Sequence, residues 1–386
     1  MKRSILLLFV ITTHVTLAQT TRIVDHNFNA PTGANIYSTI QAAVNASDSG
    51  DIIQVQPSPV AYGNVSIDRG VTLMGIGFNL TKDIALQSNM GTITLTNKAD
   101  GTSDASGTII TGLTFTWLYV GNLTGPFFTL SDVTVYNCYL NYVYGGSSTY
   151  ATVENFQIYD CRVTTYITFN QKIYNSWIRN NAITGYIALN NNSPCSATIT
   201  NNILFGYVTV SATGSSVFVL NNDFIGTSGS TYAFSTLYDI TVANNLFYGR
   251  TPGPNAAGTI TTTFQRNIFT NNISYATGND ALPLAGTPIG TNTGDGNLIG
   301  TDPTLVDLQS LTAYSSASDF TLTLGSPAIG TGSDGTDIGI TGGFYKWIGT
   351  NLVLKTTAAP TIETLNTSTV INPTDPLPVR VKAKSN

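Results

Sequence analysis

Apolar and polar residues recur in a fixed six-residue order through the middle of the chain. An apolar residue is followed by a variable residue, a polar residue, a register residue, another variable residue and a second apolar residue. The seven copies of this phrase begin at Val135, Ile158, Ile178, Ile199, Val219, Val242 and Phe264. Their register residues are Cys138, Cys161, Asn181, Asn202, Asn222, Asn245 and Asn267, which follow one another at steps of 20 to 23 residues.

Each column of this alignment predicts a place in a coil. The two apolar columns are predicted to point inward, where equivalent side chains of successive coils stack into continuous ridges. An asparagine at a bend between strands can turn inward and hydrogen-bond to its copy one coil away. The register column therefore predicts a structural ladder of asparagines, which the two cysteines continue at its beginning.

The period and the composition together predict an all-β solenoid with coils of about 20–23 residues, a parallel β-helix. Thr, Val, Ile, Tyr and Phe are abundant, and 36 glycines punctuate the chain, a composition typical of strands. Leucine-rich repeats have a similar period but need a leucine consensus that is missing here. A β-sandwich would not hold one column in register through seven copies.

The segments before and after the repeats resemble those of a known family. Residues 37–44, 50–55 and 71–77 are similar to the entry region of the pectin-lyase-like, right-handed parallel β-helix proteins, and residues 302–339 are similar to their final coil. The resemblance implies a right-handed β-helix over residues 19–345, with a short capping helix near residues 38–47. Ser38 is predicted as the N-cap of that helix, with Ile40, Ala43 and Val44 on its apolar face.

Both ends of the chain carry distinct signals. Residues 1–18 combine Lys2 and Arg3 with a short apolar run that ends at Ala18, which predicts a signal peptide. The protein is therefore expected to be secreted, or to reside at the cell surface or in the periplasm. Residues 346–386 are rich in Thr and Pro and are predicted to form either a C-terminal cap with one or two strands or a tail.

The charge of the chain limits the kinds of partner it can bind, and its cysteines limit the bridges it can form. Charged residues make up 10% of the chain, the formal net charge is −5, and no dense basic run occurs, which argues against nucleic acid as a partner. No segment after residue 18 is long and apolar enough to suggest membrane insertion. Cys138 and Cys161 share one column, where a bridge and two stacked thiols both remain open; the oligomeric state also remains open.

The family resemblance implies chemistry on acidic polysaccharides, carried out by lyases and hydrolases. The weak catalytic candidates are Asp160, Arg162, Arg179 and Lys172, because a lyase needs a basic group next to a uronate and carboxylates to hold an ion. Ca²⁺ is considered only under this lyase hypothesis, and no cofactor or metal site is predicted otherwise. The alternative interpretation of the same residues is a surface ion pair on a neutral wall.

Aromatic residues crowd positions 117 to 186, and sugar rings stack on aromatic faces. The predicted ligand-binding residues are Tyr136, Tyr139, Tyr159 and Trp177, with Tyr136, Tyr159 and Arg179 in one column and Tyr139 and Arg162 in another. The leading hypothesis is an exported β-helix that contacts polysaccharide or a cell-surface glycan without a clear catalytic set. The alternatives are a divergent polysaccharide lyase and a structural or adhesive solenoid.

Overall fold

The computed structural model describes residues 19–27, 30–78, 86–121, 128–189, 193–230, 232–254, 263–348, 361–367 and 379–384. Over these residues the chain winds as a parallel β-solenoid, as the repeat predicts. The predicted signal peptide, residues 1–18, lies outside the described residues. No helix in the described ranges is long and apolar enough to cross a membrane.

The first sheet is made of short parallel strands, each of which pairs with a strand from the next coil. Its thirteen described strands, in spatial order, are Ile36–Tyr37, Thr21–Val24, Ile52–Val55, Thr72–Met74, Ile109–Thr111, Thr134–Tyr136, Gln157–Tyr159, Ser176–Arg179, Ser196–Thr200, Ser216–Leu220, Thr241–Ala243, Ile268–Thr270 and Thr293–Asp295.

The second sheet lies across a sharp corner from the first and is also parallel. The strands on its main path are Val65–Ile67, Asn89–Leu95, Thr114–Val120, Tyr139–Glu154, Arg162–Tyr174, Ala182–Ile183, Ile203–Leu204, Asp223–Ser230, Leu246–Arg250, Ile273–Tyr275 and Leu298–Ile299. Three further strands pair beside this path: Phe128–Ser131, Tyr186–Leu189 and Val208–Val210.

Three small sheets complete the described strands. Leu237–Tyr238 pairs in parallel with Phe264–Gln265. Leu305–Asp307 pairs antiparallel with Asp319–Leu322. Thr361–Thr367 pairs antiparallel with Val379–Lys384, so the part of the Thr- and Pro-rich segment that is described forms a hairpin.

Asparagines form a hydrogen-bonded file along the corner between the two large sheets. The Nδ2 of each asparagine donates to the Oδ1 of the next, at 3.0 to 3.1 Å, through Asn181, Asn202, Asn222, Asn245, Asn272 and Asn297. Each Oδ1 also accepts the backbone N–H of the preceding member. The amides in the file are buried, and their donors and acceptors satisfy one another.

The prediction that Asn267 belongs to this file is wrong. Asn267 stands at the preceding corner of its coil, where its Nδ2 donates to Asn292 Oδ1 at 2.9 Å. The sixth copy of the phrase, residues 242–247, does not pair with the seventh copy, residues 264–269. It pairs with residues 269–274 instead, because Val242 pairs with Phe269 and Phe247 with Ser274. Both corners place a residue with positive φ before an inward amide, Arg266 (57°) and Asn271 (49°), which made the two phrases look alike.

The cysteines continue the asparagine file at its beginning as free thiols. Cys161 donates its backbone N–H to Asn181 Oδ1 at 3.0 Å, and its Sγ lies 3.8 Å from the Val135 carbonyl oxygen. Cys138, Cys161 and Cys195 are all unbridged and buried. Burial raises the pKa of the Cys161 thiol, and the neighbouring Cys138 adds to the shift, so Cys161 packs as a neutral group.

A short helix, Ile40–Asn45, covers the N-terminal end of the solenoid, where a capping helix is predicted. Its N-cap is Thr39 and not Ser38, because Thr39 Oγ1 accepts the N–H of Ala42 at 3.2 Å. The predicted apolar face is buried and belongs to the main core. Gln41 does not complete a capping box; its side chain instead exchanges hydrogen bonds with the backbone of Ser66.

The solenoid ends earlier than the predicted residue 345. Its last parallel strand is Leu298–Ile299, and residues 305–347, here called the strap, turn back over the outer face of the second sheet instead of adding coils. The strap contributes Tyr314, Phe320, Ala328, Ile338, Ile340 and Trp347 to a second buried apolar cluster. The solenoid contributes Phe78, Ala182, Ile203, Phe205, Ile225, Leu246 and Ile273 to the same cluster.

A second column of asparagines, which points outward, binds the strap. Its members precede the inward file by one residue and have φ between 49° and 58°, a conformation that asparagine tolerates better than most residues. Four of them donate Nδ2 hydrogen bonds to strap carbonyls: Asn271 to Thr331, Asn221 to Asp337, Asn201 to Gly342 and Asn180 to Tyr345. The strap therefore runs from later coils towards earlier ones.

Replacing Asn222, in the middle of the file, by alanine is expected to lower the free energy of unfolding by about 3 kcal/mol. The change leaves the buried N–H groups of Asn202 without their acceptor, Asn222 Oδ1. Denaturant titration measures the loss. The matched control is Asn141→Ala, whose Oδ1 accepts one hydrogen bond from the half-buried Thr164 and which is expected to lose less than about 1 kcal/mol. Equal losses for the two variants would contradict a buried file.

Candidate functional site

The predicted column of Tyr136, Tyr159 and Arg179 lies on the outer face of the first sheet. These residues are register partners on three successive coils. The rings of Tyr136 and Tyr159 stack with centroids 5.2 Å apart, and the Arg179 guanidinium lies 4.0 Å from the Tyr159 centroid. All three side chains are half-buried.

The strap covers the far side of that column. The Tyr345 ring lies 4.7 Å from the Arg179 guanidinium, so the cation is held between a solenoid tyrosine and a strap tyrosine. Tyr345 also makes an edge contact with Trp177, with centroids 5.5 Å apart. Two of the predicted ligand-binding residues, Tyr159 and Trp177, are therefore next to the chain's own strap.

The second predicted column repeats this arrangement on the second sheet. Tyr139 and Arg162 are register partners, and the Arg162 guanidinium lies 5.4 Å from the Tyr139 centroid and 5.5 Å from the Tyr314 centroid. Its Nη2 donates to the Tyr314 carbonyl oxygen at 3.3 Å. Arg162 and Arg179 are thus two cation–π clamps that fasten the strap.

The four catalytic candidates are not assembled into an open site. Arg162 and Arg179 take part in separate clamps, and Arg179 Nη1 donates to Asn180. Asp160 occupies the outward corner column with φ of 52°. Lys172 lies near the end of the strand Arg162–Tyr174, in register with Thr152, whereas Arg162 begins that strand.

The described residues also bring together few metal-ligating groups. No cluster of three or more His, Cys, Asp or Glu side chains within these ranges could hold a metal ion. His26 Nε2 lies 2.8 Å from Ser58 Oγ, but it also lies 3.0 Å from the Val60 carbonyl oxygen. A hydrogen bond to the Val60 carbonyl oxygen, which can only accept, requires a proton on Nε2, the same atom that would have to take a proton from Ser58.

A longer array of rings, here called the aromatic ladder, lies on the outer face of the second sheet. It consists of five half-buried side chains on successive coils: Trp117, Tyr142, Tyr166, Tyr186 and Tyr207. Successive ring centroids are 3.9, 4.8, 5.2 and 4.9 Å apart. Tyr119 and Tyr144 form a second, shorter column beside it.

The rings of the ladder fall into two planes. Trp117 and Tyr142 are nearly parallel (14°), and so are Tyr166 and Tyr186 (23°) and Tyr186 and Tyr207 (6°). The two groups meet between Tyr142 and Tyr166 at 64°. The ladder therefore changes ring orientation once, between Tyr142 and Tyr166.

The surface of the ladder is uncharged and rich in hydroxyl groups. Thr94, Tyr119 and Tyr144 flank the ladder as half-buried residues, and Thr92 precedes Trp117 in the ladder column. At the later coils the flanking positions are buried: Thr168, Ala188 and Thr209. Burial raises the pKa of Tyr166 and of Tyr207, and the neighbouring tyrosines add to both shifts. These two phenols therefore stay protonated at neutral pH and can donate as well as accept hydrogen bonds.

The chain therefore offers two candidate aromatic surfaces. The ligand-binding residues that the sequence predicts are Tyr136, Tyr139, Tyr159 and Trp177. They include two columns that also hold Arg162 and Arg179, and these arginines contact the strap. The ladder has no cation. Its signal in the sequence is a Tyr three residues after the second apolar position in three successive phrases: Tyr166 after Val163, Tyr186 after Ile183 and Tyr207 after Leu204.

Comparisons with known proteins add little beyond the fold. No protein-family model matches the chain, and no curated protein matches it. Among the solved structures that match is the crystal structure of the pectate lyase Pel9A, with a TM-score of 0.46 and 14% sequence identity over 83% of this chain and 96% of that chain. The parallel β-solenoid stands on the strand pairing of this chain itself.

The clamp formed by Arg179 is expected to appear as a coupling energy. In a double-mutant cycle, Arg179→Ala and Tyr345→Ala should couple by about 1 kcal/mol in the free energy of unfolding, since the guanidinium touches that ring directly. The matched cycle pairs Tyr345→Ala with Arg162→Ala, which contacts Tyr314 instead, and should give a coupling near zero. Coupling of equal size in both cycles would argue against two separate clamps.

Proposed function

We propose that this protein is an exported carbohydrate-binding solenoid that binds a neutral polysaccharide along the aromatic ladder. The single observation that carries the proposal is the half-buried, uncharged array of five aromatic rings on successive coils. The C–H faces of sugars pack on aromatic carbon, and sugar hydroxyls exchange hydrogen bonds with phenols. A surface without cations favours a neutral polymer over an acidic one.

The repeat of the solenoid supports a polymer as the ligand. Ladder side chains recur once per coil, at about the 4.8 Å spacing of neighbouring strands. A polysaccharide lying parallel to the solenoid axis would meet an equivalent ring and hydroxyl at each step. A small sugar would contact two or three of these rings, so affinity should rise with chain length.

The lyase hypothesis has less support from the described residues. Its basic candidates, Arg162 and Arg179, lie in clamps under the strap, and Lys172 is at the other end of a strand from Arg162. Ca²⁺ binding, which only that hypothesis required, has no carboxylate cluster to support it in the ranges that the structure covers. The hypothesis of a purely structural or adhesive solenoid is favoured if no polysaccharide binds.

The expected result is that neutral polysaccharides retard the full-length mature protein in affinity gel electrophoresis. The polymers to compare are mixed-linkage β-glucan, xyloglucan and galactomannan, with polygalacturonate as the acidic comparator. Tyr166→Ala, which removes the ring at the angle of the ladder, should weaken binding roughly tenfold. The matched control is Tyr136→Ala, which removes a stacked tyrosine from the other sheet and should bind as the unmodified protein does.

Three results would count against the proposal. These are retardation by none of the neutral polymers, equal loss in Tyr136→Ala and Tyr166→Ala, and preferential retardation by polygalacturonate. Polygalacturonate that gains the ultraviolet absorbance of unsaturated uronate products would favour the lyase hypothesis instead. Arg162→Ala would then have to abolish that gain.

A further inference from the structure

A carboxyl group lies buried in the apolar interface between the strap and the second sheet. Asp223 begins the strand Asp223–Ser230, and its residue is 1% exposed. In its column, Ile203 precedes it and Leu246 follows it, and both belong to the apolar cluster under the strap. A carboxyl group thus occupies a position where the neighbouring coils place aliphatic side chains.

The strap backbone sits directly on this carboxyl group. Asp223 Oδ1 accepts the N–H of Ile340 at 3.1 Å. Gly339 has φ of 87°, and a Cβ added at this glycine would collide with Asp223 Oδ1 and press on Leu246. The close approach therefore requires glycine at 339, and it leaves no room for water on that side of the carboxyl.

The charged and titratable groups on the packed elements are engaged elsewhere. Arg162 lies three coils earlier in the same column and donates to Tyr314. Arg250, on the following coil, donates to the carbonyls of Ile225 and Phe205. On the strap, the Asp337 carboxylate accepts the N–H of Gly330, 10 residues before Ile340 in the chain.

Three tyrosines also lie at this interface: Tyr314 within the apolar cluster, and Tyr139 and Tyr248 packed against it. Tyr248 is the register partner of Ile225. Burial raises its pKa, and the nearby Asp302 and Tyr275 add to the shift, so it stays neutral where Asp223 ionises. The basic residue of the strap, Lys346, is exposed, and none of the ion pairs among the described residues involves Asp223. A buried charge without such a partner is strongly unfavourable.

We propose that the strap is locked by acid: it stays seated on the second sheet while Asp223 is a neutral carboxylic acid and lifts when Asp223 becomes a carboxylate. Lifting would uncover the apolar face of the second sheet and both arginine clamps. It would also free Trp177 and Arg179, which Tyr345 of the strap contacts when the strap is closed. The protein would then have a closed surface at low pH and a basic, aromatic surface at higher pH.

The direction of the pH dependence follows from the buried state of the acid. Burial raises the pKa of Asp223 from 3.8 to about 8, while the Ile340 N–H opposes the shift. Between these two values the closed strap keeps the proton and the lifted strap has lost it. Lifting should therefore become more favourable by about tenfold for each pH unit in this window, and level off above the upper value.

Hydrogen–deuterium exchange of the full-length mature protein between pH 5 and pH 9 tests the proposal, with rates corrected for intrinsic exchange. Protection of the amides of residues 331–347 should fall by about tenfold per pH unit and level off near pH 8, while amides of the interior strands stay protected. In Asp223→Asn, which keeps the acceptor for Ile340, strap protection should not change with pH. Gly339→Ala should leave the strap unprotected at every pH.

The matched control is Asp239→Asn, which removes a carboxylate that pairs with Arg266 at the other corner of the coil. It should keep the pH dependence of the unmodified protein. If Asp223→Asn fails to fold, Asp223→Leu replaces it, because Leu246 already occupies the next position of the column. The proposal is overturned if strap protection does not change with pH, if strap and interior lose protection together, or if the pH dependence survives in the Asp223 variants.

Discussion

The whole molecule depends on one constraint: residues one coil apart lie directly above one another, at about the 4.8 Å spacing of parallel strands. A residue that suits its position in one coil therefore suits it again in the next. Inward columns become apolar ridges and the asparagine file, and an outward column becomes the aromatic ladder. The same register places Arg179 over Tyr159 and Arg162 beside Tyr139.

The corner between the two sheets serves two structures at once. Its inward amides, such as Asn202, satisfy one another inside the solenoid, and its outward amides, such as Asn201, bind the strap. The strap then permits a second sheet that is apolar on both faces, because it covers Ile203 and Ile225. The strap also isolates Asp223 from water. The acid-sensitive position therefore exists because the strap buries the outer face of the second sheet.

The sequence predicts the features that recur in each coil, but it does not predict the contacts that occur once. Columns such as Tyr136, Tyr159 and Arg179 could be predicted because register alone defines them. Asn267 was assigned to the wrong corner because the step from Asn245 to Asn272 is 27 residues, longer than the steps before it. This longer coil contains a second segment with the same pattern as the phrase, at its other corner. The strap was missed because its hydrogen bonds to the solenoid join residues 60 to 165 positions apart without any period, as Asn271 and Thr331 or Asn180 and Tyr345 do. A partial signal was present: the outward fifth column of the phrase holds aliphatic residues at Ala182, Ile203 and Leu246, between and beyond the charged Arg162 and Asp223.

An experimental electron-density map of the corner between the two sheets tests the register most directly. Our account predicts one unbroken file of side-chain amides from Asn181 through Asn245 to Asn272 and Asn297, with Asn267 bonded to Asn292 at the other corner and the strap carbonyls on the outward asparagines. Amides of these residues scattered over different faces, or residues 305–347 wound as a further coil, would contradict it.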